Sequence, residues 1–188
     1  MALPKLLELY TMYKYLTIAI ILIFSTSVSG QHLASSKGQG AIGIGIGLPY
    51  GALGGKISYN VAEQTSVFTG IGYNLADVAY NIGLMYSFKS EKSREFYISG
   101  MYGRNASLIV EDFSPDGDFK ESYLGPSFGA GLPAFSSKNE GSFWEVGLVV
   151  PIRSSDYNND IDAIKNIPSI ELTEPWPVLI VIGYNFGL

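Results

Sequence analysis

The sequence predicts an all-β fold, a closed antiparallel barrel of about eight strands that run up and down in chain order. Three observations lead to this prediction. Apolar residues recur at every second position in eight segments, the face opposite them consists mostly of small residues, and the two longest connections fall at the same end of the barrel. The chain has 188 residues and no cysteine, so backbone pairing and burial must hold the fold together.

Each strand is marked by apolar residues that alternate with small or polar ones. In residues 41–48, four aliphatic residues from Ile42 to Leu48 alternate with glycines, which gives one aliphatic face and one face without side chains. The clear segments are 41–48, 53–61, 67–74, 80–88 and 178–188, and the weaker ones are about 94–104, 122–132 and 142–152. An even number of strands brings both ends of the barrel domain to the same side.

The second face of these strands indicates the solvent for which the barrel is built. A water-facing strand surface is normally rich in Lys, Glu, Thr and Arg, whereas this face is Gly, Ser and Asn with a few charges such as Lys56 and Glu145. Small residues fit the narrow interior of eight strands. Aliphatic residues edged by Tyr and Phe match an apolar band between aromatic girdles. The predicted fold class is therefore a closed antiparallel up-and-down transmembrane β-barrel, and a soluble barrel with its apolar face inward is the alternative.

The N-terminal residues predict a cleaved signal peptide, residues 1–30. Lys14 precedes the apolar run 16–24, and a stretch of small and polar residues follows it. An uncleaved anchor is the alternative, but the run of roughly 10 residues is short of the ~20 that a spanning helix needs. Met12 is an alternative start. After cleavage, residues 31–188 form one barrel domain.

Connection lengths give an independent test of the strand count, because outer-membrane barrels keep their periplasmic turns short and let the outside loops grow. With the N-terminus periplasmic, the long connections all fall outside. The inside turns are near 62–64, 89–93 and 134–141, and the outside loops are near 49–52, 75–78, 104–121 and 153–176.

The two long outside loops, 104–121 and 153–176, carry most of the acidic residues of the barrel domain. These residues are Glu111, Asp112, Asp116, Asp118 and Glu121 in the first loop, and Asp156, Asp160, Asp162, Glu171 and Glu174 in the second. One interpretation is a surface site for a divalent cation or a cationic partner. The other is that the charges only keep the loops solvated.

Four oxygen-bearing residues of the second loop are spaced at alternate positions, as the ligands of calcium loops are. They are Asp156, Asn158, Asp160 and Asp162. Ile161 stands where an EF-type loop needs Gly, and Ile167 stands where it needs the bidentate Glu. These four residues are therefore weak calcium candidates, and a short helix over about 159–166, capped by Asn or Asp, is the favoured use of the segment.

The residue types that catalysis needs are scarce. His32 is the only histidine and lies beside the expected cleavage site, and cysteine is absent, which excludes Ser–His, Cys–His and histidine–zinc chemistry. Glu145 is expected to face the lumen and to pair with Lys56 or Arg153. We therefore expect no enzyme activity and no cofactor. The net charge of −5 also disfavours a nucleic-acid partner.

The C-terminal residues carry a family resemblance. The ending Gly-Tyr-Asn-Phe-Gly-Leu, residues 183–188, together with the leader and the glycine-alternating strands, resembles the small outer-membrane β-barrel proteins of the OmpA-domain and OmpX kind, a porin-like family. The resemblance covers nearly all of the barrel domain. It implies an outer-membrane location in a Gram-negative bacterium, contact with membrane lipid, and a last strand that the barrel assembly machinery recognises. Tyr184, Phe186 and Leu188 match that signal by position, and Leu188 departs from the Phe that is usual there.

Three functions remain open at this point. The first is a structural or surface-interaction barrel whose acidic outside loops bind an unknown partner. The second is a small channel, which is disfavoured because an eight-stranded interior is normally filled by its own side chains. The third is a soluble secreted barrel that carries an apolar ligand inside.

Overall fold

The protein folds as a closed barrel of eight antiparallel strands, in which neighbours in the chain are neighbours in the sheet and β1 pairs with β8. The computed structural model describes residues 40–88, 95–114, 117–136, 142–167 and 175–188. The strands are β1 (Gly40–Gly47), β2 (Ala52–Ala62), β3 (Thr65–Tyr73), β4 (Val78–Phe88), β5 (Phe96–Ser114), β6 (Gly117–Ser136), β7 (Phe143–Pro151) and β8 (Leu179–Gly187). The predicted eight-stranded up-and-down barrel is confirmed.

The period-two pattern places the two faces of the wall as expected. Ile44, Ile71 and Ile82 point outward and are 62%, 63% and 65% exposed. Phe68 and Asn81, on the opposite face of their strands, are buried in the lumen. The aliphatic face therefore lies outside the barrel and the face of small and polar residues lies inside.

The connection from β1 to β2 differs from its prediction as an outside loop at 49–52. A 3-10 turn, Leu48–Tyr50, folds into the barrel and is buried. Leu48, expected on the aliphatic outer face, therefore lies in the interior. The chain leaves the wall at Gly47 and returns after Gly51. The φ angles of these two residues, 123° at Gly47 and 70° at Gly51, are positive, which favours glycine. We call Leu48–Tyr50 the inner turn.

The predicted outside loop at 104–121 is largely a continuation of two strands. β4 pairs with β5 only as far as Gly103, and β7 pairs with β6 only from Ser127, but β5 and β6 pair with each other out to Ser114 and Gly117. The protruding part, residues 106–114 and 117–123, is called the outer hairpin below. Alternating apolar residues in 106–110 favour strand pairing there.

A single described helix, α1 (Ser155–Lys165), follows β7. It begins four residues before the predicted helix at 159–166 because Ser154 caps it. The Ser154 side chain accepts a hydrogen bond from the backbone N–H of Tyr157 at 3.3 Å. No helix in the described ranges is both long and apolar enough to cross a membrane.

Parts of the sequence-based predictions lie outside the described residues. These are the signal peptide 1–30, His32, the turn at 89–93, and residues 115–116, 137–141 and 168–174 within other predicted connections. The last three ranges include the acidic loop residues Asp116, Glu171 and Glu174. The short turn predicted at 62–64 is confirmed, since β2 ends at Ala62 and β3 begins at Thr65.

Candidate functional site

The inner turn fits inside the barrel because glycines clear the space around it. A Cβ atom on Gly45 would lie 2.9 Å from Cε2 of Tyr50, and one on Gly54 would lie 2.5 Å from the Tyr50 carbonyl oxygen. On Gly70, the nearest atom would be the carbonyl oxygen of Pro49. Three strands therefore carry glycine where the turn approaches them, and the alternation of glycine in β1 to β3 has a packing purpose.

Glu145 is the centre of a hydrogen-bond network in the lumen. Its carboxylate accepts hydrogen bonds from the hydroxyl groups of Tyr50 at 2.5 Å and Tyr97 at 2.6 Å. It also accepts one from the Asn185 side chain at 3.1 Å and forms an ion pair with Lys56. Glu145 is completely buried. The network thus joins the inner turn to β2, β5, β7 and β8.

The pairing of Glu145 with Lys56 confirms one of the two alternatives that the sequence left open. Lys56 is buried, and its ammonium group lies 4.7 Å from the centre of the Tyr50 ring. Arg153 takes no part in this pair. Its guanidinium lies outside the lumen, 4.8 Å from the centre of the Tyr157 ring, and donates to the carbonyl oxygen of Trp176 at 3.2 Å.

Two buried asparagines form hydrogen bonds with backbone carbonyl groups at the end of the lumen away from the termini of the barrel domain. Asn81 donates from its side chain to the carbonyl oxygen of Leu48 at 2.8 Å, which holds the inner turn in place. Asn105 donates to the carbonyl oxygens of Pro126 at 3.0 Å and Ile152 at 2.9 Å. The described lumen is thus a packed core of side chains and one turn, which is an arrangement for stability and closure.

A second apolar core lies beyond the closed part of the barrel, between α1 and the outer hairpin. Tyr157, Ile161 and Ile164 recur at helical spacing and are all buried. They pack on one face of the hairpin, which contributes Ala106, Leu108, Val110 and Tyr123, with Phe119 half-buried beside them. We call α1 and the outer hairpin the helix–hairpin unit.

The Tyr123 hydroxyl fastens the helix to the hairpin. It donates to the carboxylate of Asp160 at 2.6 Å, and its ring makes an edge contact with Tyr157 at 5.2 Å between centres. Burial, together with the hydrogen bond to Asp160, raises the pKa of Tyr123 above its ordinary value. The phenol therefore remains a donor throughout the physiological pH range.

The four calcium candidates lie on α1 and are not brought together. Side chains two positions apart on an α-helix point in different directions, and those four apart are neighbours. The alternate spacing therefore divides the four residues between two sides of α1, with Asp156 and Asp160 on one side and Asn158 and Asp162 on the other. Asp160 is engaged with Tyr123. In the part of the chain that the structure describes, no three His, Cys, Asp or Glu side chains form a group that could hold a metal ion.

The β3–β4 turn supports the other face of the hairpin. The Asn74 side chain donates to the Ser122 hydroxyl at 3.0 Å, and Arg104 forms an ion pair with Asp77 at 3.0 Å. Ser122 alternates with Tyr123 on β6, so the turn and α1 contact opposite faces. The hairpin is thus held from both sides at its base.

The residues predicted as an assembly signal lie at the end of β8, on or near the outer surface. Phe186 and Leu188 are exposed, and Tyr184 is half-buried. The rings of Tyr184 and Phe186 lie 4.7 Å apart, and Trp144 of β7 lies 5.2 Å from Tyr184. These side chains form an aromatic cluster on the outside of the wall.

Sequence reasoning missed the inner turn and the role of Tyr97. The Gly-Leu-Pro-Tyr-Gly run at 47–51 was a signal for a turn, because proline and flanking glycines break a strand. Nothing in that run shows that the turn enters the barrel. Tyr97 follows the alternation of β5 and was identifiable as inward-facing, but its contact with Glu145 depends on how the barrel closes.

Among solved structures, the chain is similar to the N-terminal β-barrel domain of Pseudomonas aeruginosa OprF. The match covers 81% of this chain and 100% of that one, with 15% sequence identity and a TM-score of 0.49. No protein-family model and no curated protein matches the sequence. The description of the barrel rests on the strand pairing of this chain itself.

Proposed function

We propose that this chain is an outer-membrane β-barrel protein of structural or surface-interaction type, with a closed lumen, no catalytic activity and a helix–hairpin unit that faces the exterior of a Gram-negative cell. The observation that carries the proposal is the distribution of polarity. Every strand exposes large apolar side chains on its outer face, while the interior contains the Lys56–Glu145 pair. Soluble monomers rarely expose apolar surface of this extent.

Aromatic side chains near both ends of the wall support a membrane location. They edge the aliphatic band as the girdles of transmembrane barrels do. Tyr59, Tyr86, Phe96, Trp144 and Phe186 lie at the end that holds the termini of the barrel domain, and Tyr73, Tyr80 and Tyr102 lie toward the other end. The membrane-facing surface then lies between the two sets.

The alternative functions fit the described structure less well. A soluble carrier of an apolar ligand requires an aliphatic lining, but the lumen contains Lys56, Glu145 and the inner turn. A channel requires an open path, and the inner turn lies across the lumen, where Asn81 and Glu145 hold it. The proposed partners are membrane lipid, the assembly machinery that receives the last strand, and a surface partner of the helix–hairpin unit.

The test is to express the chain with its own leader in a Gram-negative host and to analyse the detergent-extracted outer-membrane fraction by electrophoresis, with and without boiling. A band whose mobility changes on heating, and which is confined to that fraction, is expected for a closed transmembrane barrel. A soluble periplasmic product without a mobility change contradicts the proposal.

The closed lumen has a separate test. The purified protein, reconstituted in a planar lipid bilayer, is expected to give no discrete current steps. Step-like conductance would favour the small-channel alternative, while leaving the membrane location intact.

A further inference from the structure

An open cleft of about 300 Å³ runs along the side of α1, between the helix and the residues that lead into β8. Ile161 and Tyr157 of α1 and Pro175, which precedes β8, contribute its apolar lining. The volume is at the lower limit of the ~300–1,000 Å³ that small-molecule sites occupy. The cleft is therefore of a size for one small ligand unit.

The charges that line the cleft do not fit a free ion. Arg153 and Lys165 are cationic and Asp162 is anionic, so the lining has charges of both signs. A calcium site needs six to eight oxygen ligands, and the described lining residues offer one carboxylate and the amide of Asn158 beside two cations. An anion would in turn meet the Asp162 carboxylate. A neutral, polar ligand fits this lining better than either ion.

The donor and acceptor groups of the cleft match a ligand rich in hydroxyl groups. Asn158 offers a donor and an acceptor, the Asp162 carboxylate accepts, and the Arg153 guanidinium donates. These planar groups can each bind neighbouring hydroxyls in pairs, while the apolar surfaces of Ile161 and Pro175 accommodate C–H groups. Hydroxyl pairs on an otherwise C–H-bearing ring are the defining chemistry of a saccharide.

Arg153 gives the cleft a fixed end. Its guanidinium lies 4.8 Å from the centre of the Tyr157 ring and donates to the carbonyl oxygen of Trp176, so it joins the helix to the segment that forms the other wall. Trp176 is 58% exposed next to Pro175. Because both walls are held together at this end, much of the cleft exists before a ligand binds.

We propose that this cleft is a saccharide-binding site that takes a single neutral sugar unit, with Asn158 and Asp162 as the hydrogen-bonding residues that determine affinity. The inference deepens the proposed function, since it gives the surface partner of the helix–hairpin unit a chemical class. The sugar unit belongs either to a lipid-linked glycan of the same membrane or to a glycan in the surroundings.

The experiment is saturation-transfer NMR on the full barrel domain in lauryldimethylamine oxide micelles, because detergents with sugar headgroups would compete. The probes are glucose, galactose, mannose and N-acetylglucosamine. Two variants remove a lining group, Asn158→Ala and Asp162→Ala. Two matched controls remove the same residue types from exposed positions of α1 outside the cleft, Asn159→Ala and Asp156→Ala.

Saturation transfer to at least one sugar is expected, with a dissociation constant raised about tenfold in each lining variant and less than about twofold in each control. The proposal is overturned if none of the four sugars receives saturation, or if lining and control variants change binding equally. The heat-induced mobility change is measured on the same samples. A barrel that shows this change and binds no sugar refutes the saccharide site and leaves the proposed function standing.

A second arm identifies the source of the sugar. The protein is placed in vesicles of phosphatidylethanolamine and phosphatidylglycerol, with or without lipopolysaccharide, and the bound sugar is measured again. Loss of the signal only with lipopolysaccharide shows that sugars of the surrounding leaflet occupy the cleft. An unchanged signal shows that the cleft remains available to glycans from outside the membrane.

Discussion

At the scale of single residues, Glu145 has the largest consequences, because four donors from four other parts of the chain converge on its carboxylate. Tyr50, Lys56, Tyr97 and Asn185 supply them. A buried ion pair need not stabilise a protein more than apolar residues of the same size would. Removing one partner alone, however, leaves the other charge buried without compensation, which makes the pair directly testable.

We expect Glu145→Leu to lower the free energy of unfolding by about 3–5 kcal/mol, because Lys56 then lies buried without its counterion. The double variant Lys56→Met with Glu145→Leu is expected to recover most of this loss. Glu121→Leu, at an exposed position of β6, is the control and is expected to change stability little. The measurement is urea unfolding in lipid vesicles followed by tryptophan fluorescence. Equal destabilisation by the single and double variants would show that the charge pair is not the cause.

The glycines around the inner turn give a second prediction at this scale. A Cβ on Gly70 would collide with the backbone of Pro49, whereas a Cβ on the outward-facing Gly55 would lie 3.5 Å from the nearest atom, the Gly43 carbonyl oxygen. We expect Gly70→Ala to destabilise the barrel by about 1–3 kcal/mol. Gly55→Ala is expected to be neutral or stabilising by about 0.5–1 kcal/mol. The same urea titration measures both, and similar effects of the two substitutions would argue against an inner turn inside the lumen.

At the scale of elements, the outer hairpin shows where sequence reasoning reached its limit. Charged residues in 111–121 indicated a solvated loop, although the alternation of Ala106, Leu108 and Val110 shows that β5 extends past the end of its pairing with β4. These even-numbered residues face inward only because a bulge between Arg104 and Ala106 shifts the register, and strict period two does not predict that bulge. The helix that covers these residues comes from a segment some 50 positions later, and no local window of sequence relates the two.

We expect Ile161→Asp to release α1 from the hairpin, because a carboxylate would then lie in the apolar contact with Leu108 and Tyr123. Ala163→Asp places the same residue on the exposed side of α1 and is the control. Limited proteolysis of the folded protein should cut residues 153–176 faster in the first variant, by about tenfold or more. Equal cleavage of both variants would contradict the packing of α1 on the hairpin.

Deletion of residues 156–172 tests whether the helix–hairpin unit is needed for the barrel. The hydrogen bonds and the ion pair that hold the inner turn and the Glu145 network in the lumen involve no residue of α1. We therefore expect the deleted protein to keep its heat-induced mobility change. The apolar face of the hairpin then becomes exposed, and the deleted protein should aggregate more readily in detergent. Loss of the mobility change would show that α1 contributes to formation of the barrel.

At the scale of the whole molecule, the sequence predicted what depends on period and on the sizes of residues. Both faces of the wall and the lumenal position of Glu145, with Lys56 as one of its two candidate partners, follow from alternation within strands and from the scarcity of charge inside. The inner turn did not follow, because the space it fills is cleared jointly by glycines on β1, β2 and β3. That space exists only after the strands are placed in register and the barrel closes.

The cost of a charge on the outer surface of the barrel differs between a membrane and water, which gives a test of whether this surface contacts lipid. Ile44 lies midway along β1 and is 62% exposed on the outer face, and Ile180 lies near the start of β8. In a membrane, Ile44→Arg is expected to cost about 2–4 kcal/mol and Ile180→Arg about 0–1 kcal/mol, because the penalty falls from the midplane toward the interface. In water, an arginine at either exposed position would be nearly neutral.

Gly45→Arg is the comparison variant for these outer-face substitutions, because its effect does not depend on whether lipid or water surrounds the barrel. A side chain at Gly45 points into the lumen, where even a Cβ would lie 2.6 Å from the Ile182 carbonyl oxygen and 2.9 Å from the Tyr50 ring. We expect Gly45→Arg to prevent folding in any medium, and Ile44→Arg to reduce the outer-membrane yield of folded barrel, with Ile44→Leu as the conservative control. Folded yield is measured by the heat-induced mobility change. If Ile44→Arg gives a normal yield and Gly45→Arg gives none, the barrel fold is supported and the assignment of its outer face to lipid is contradicted. Only the Gly45 substitution acts through the interior.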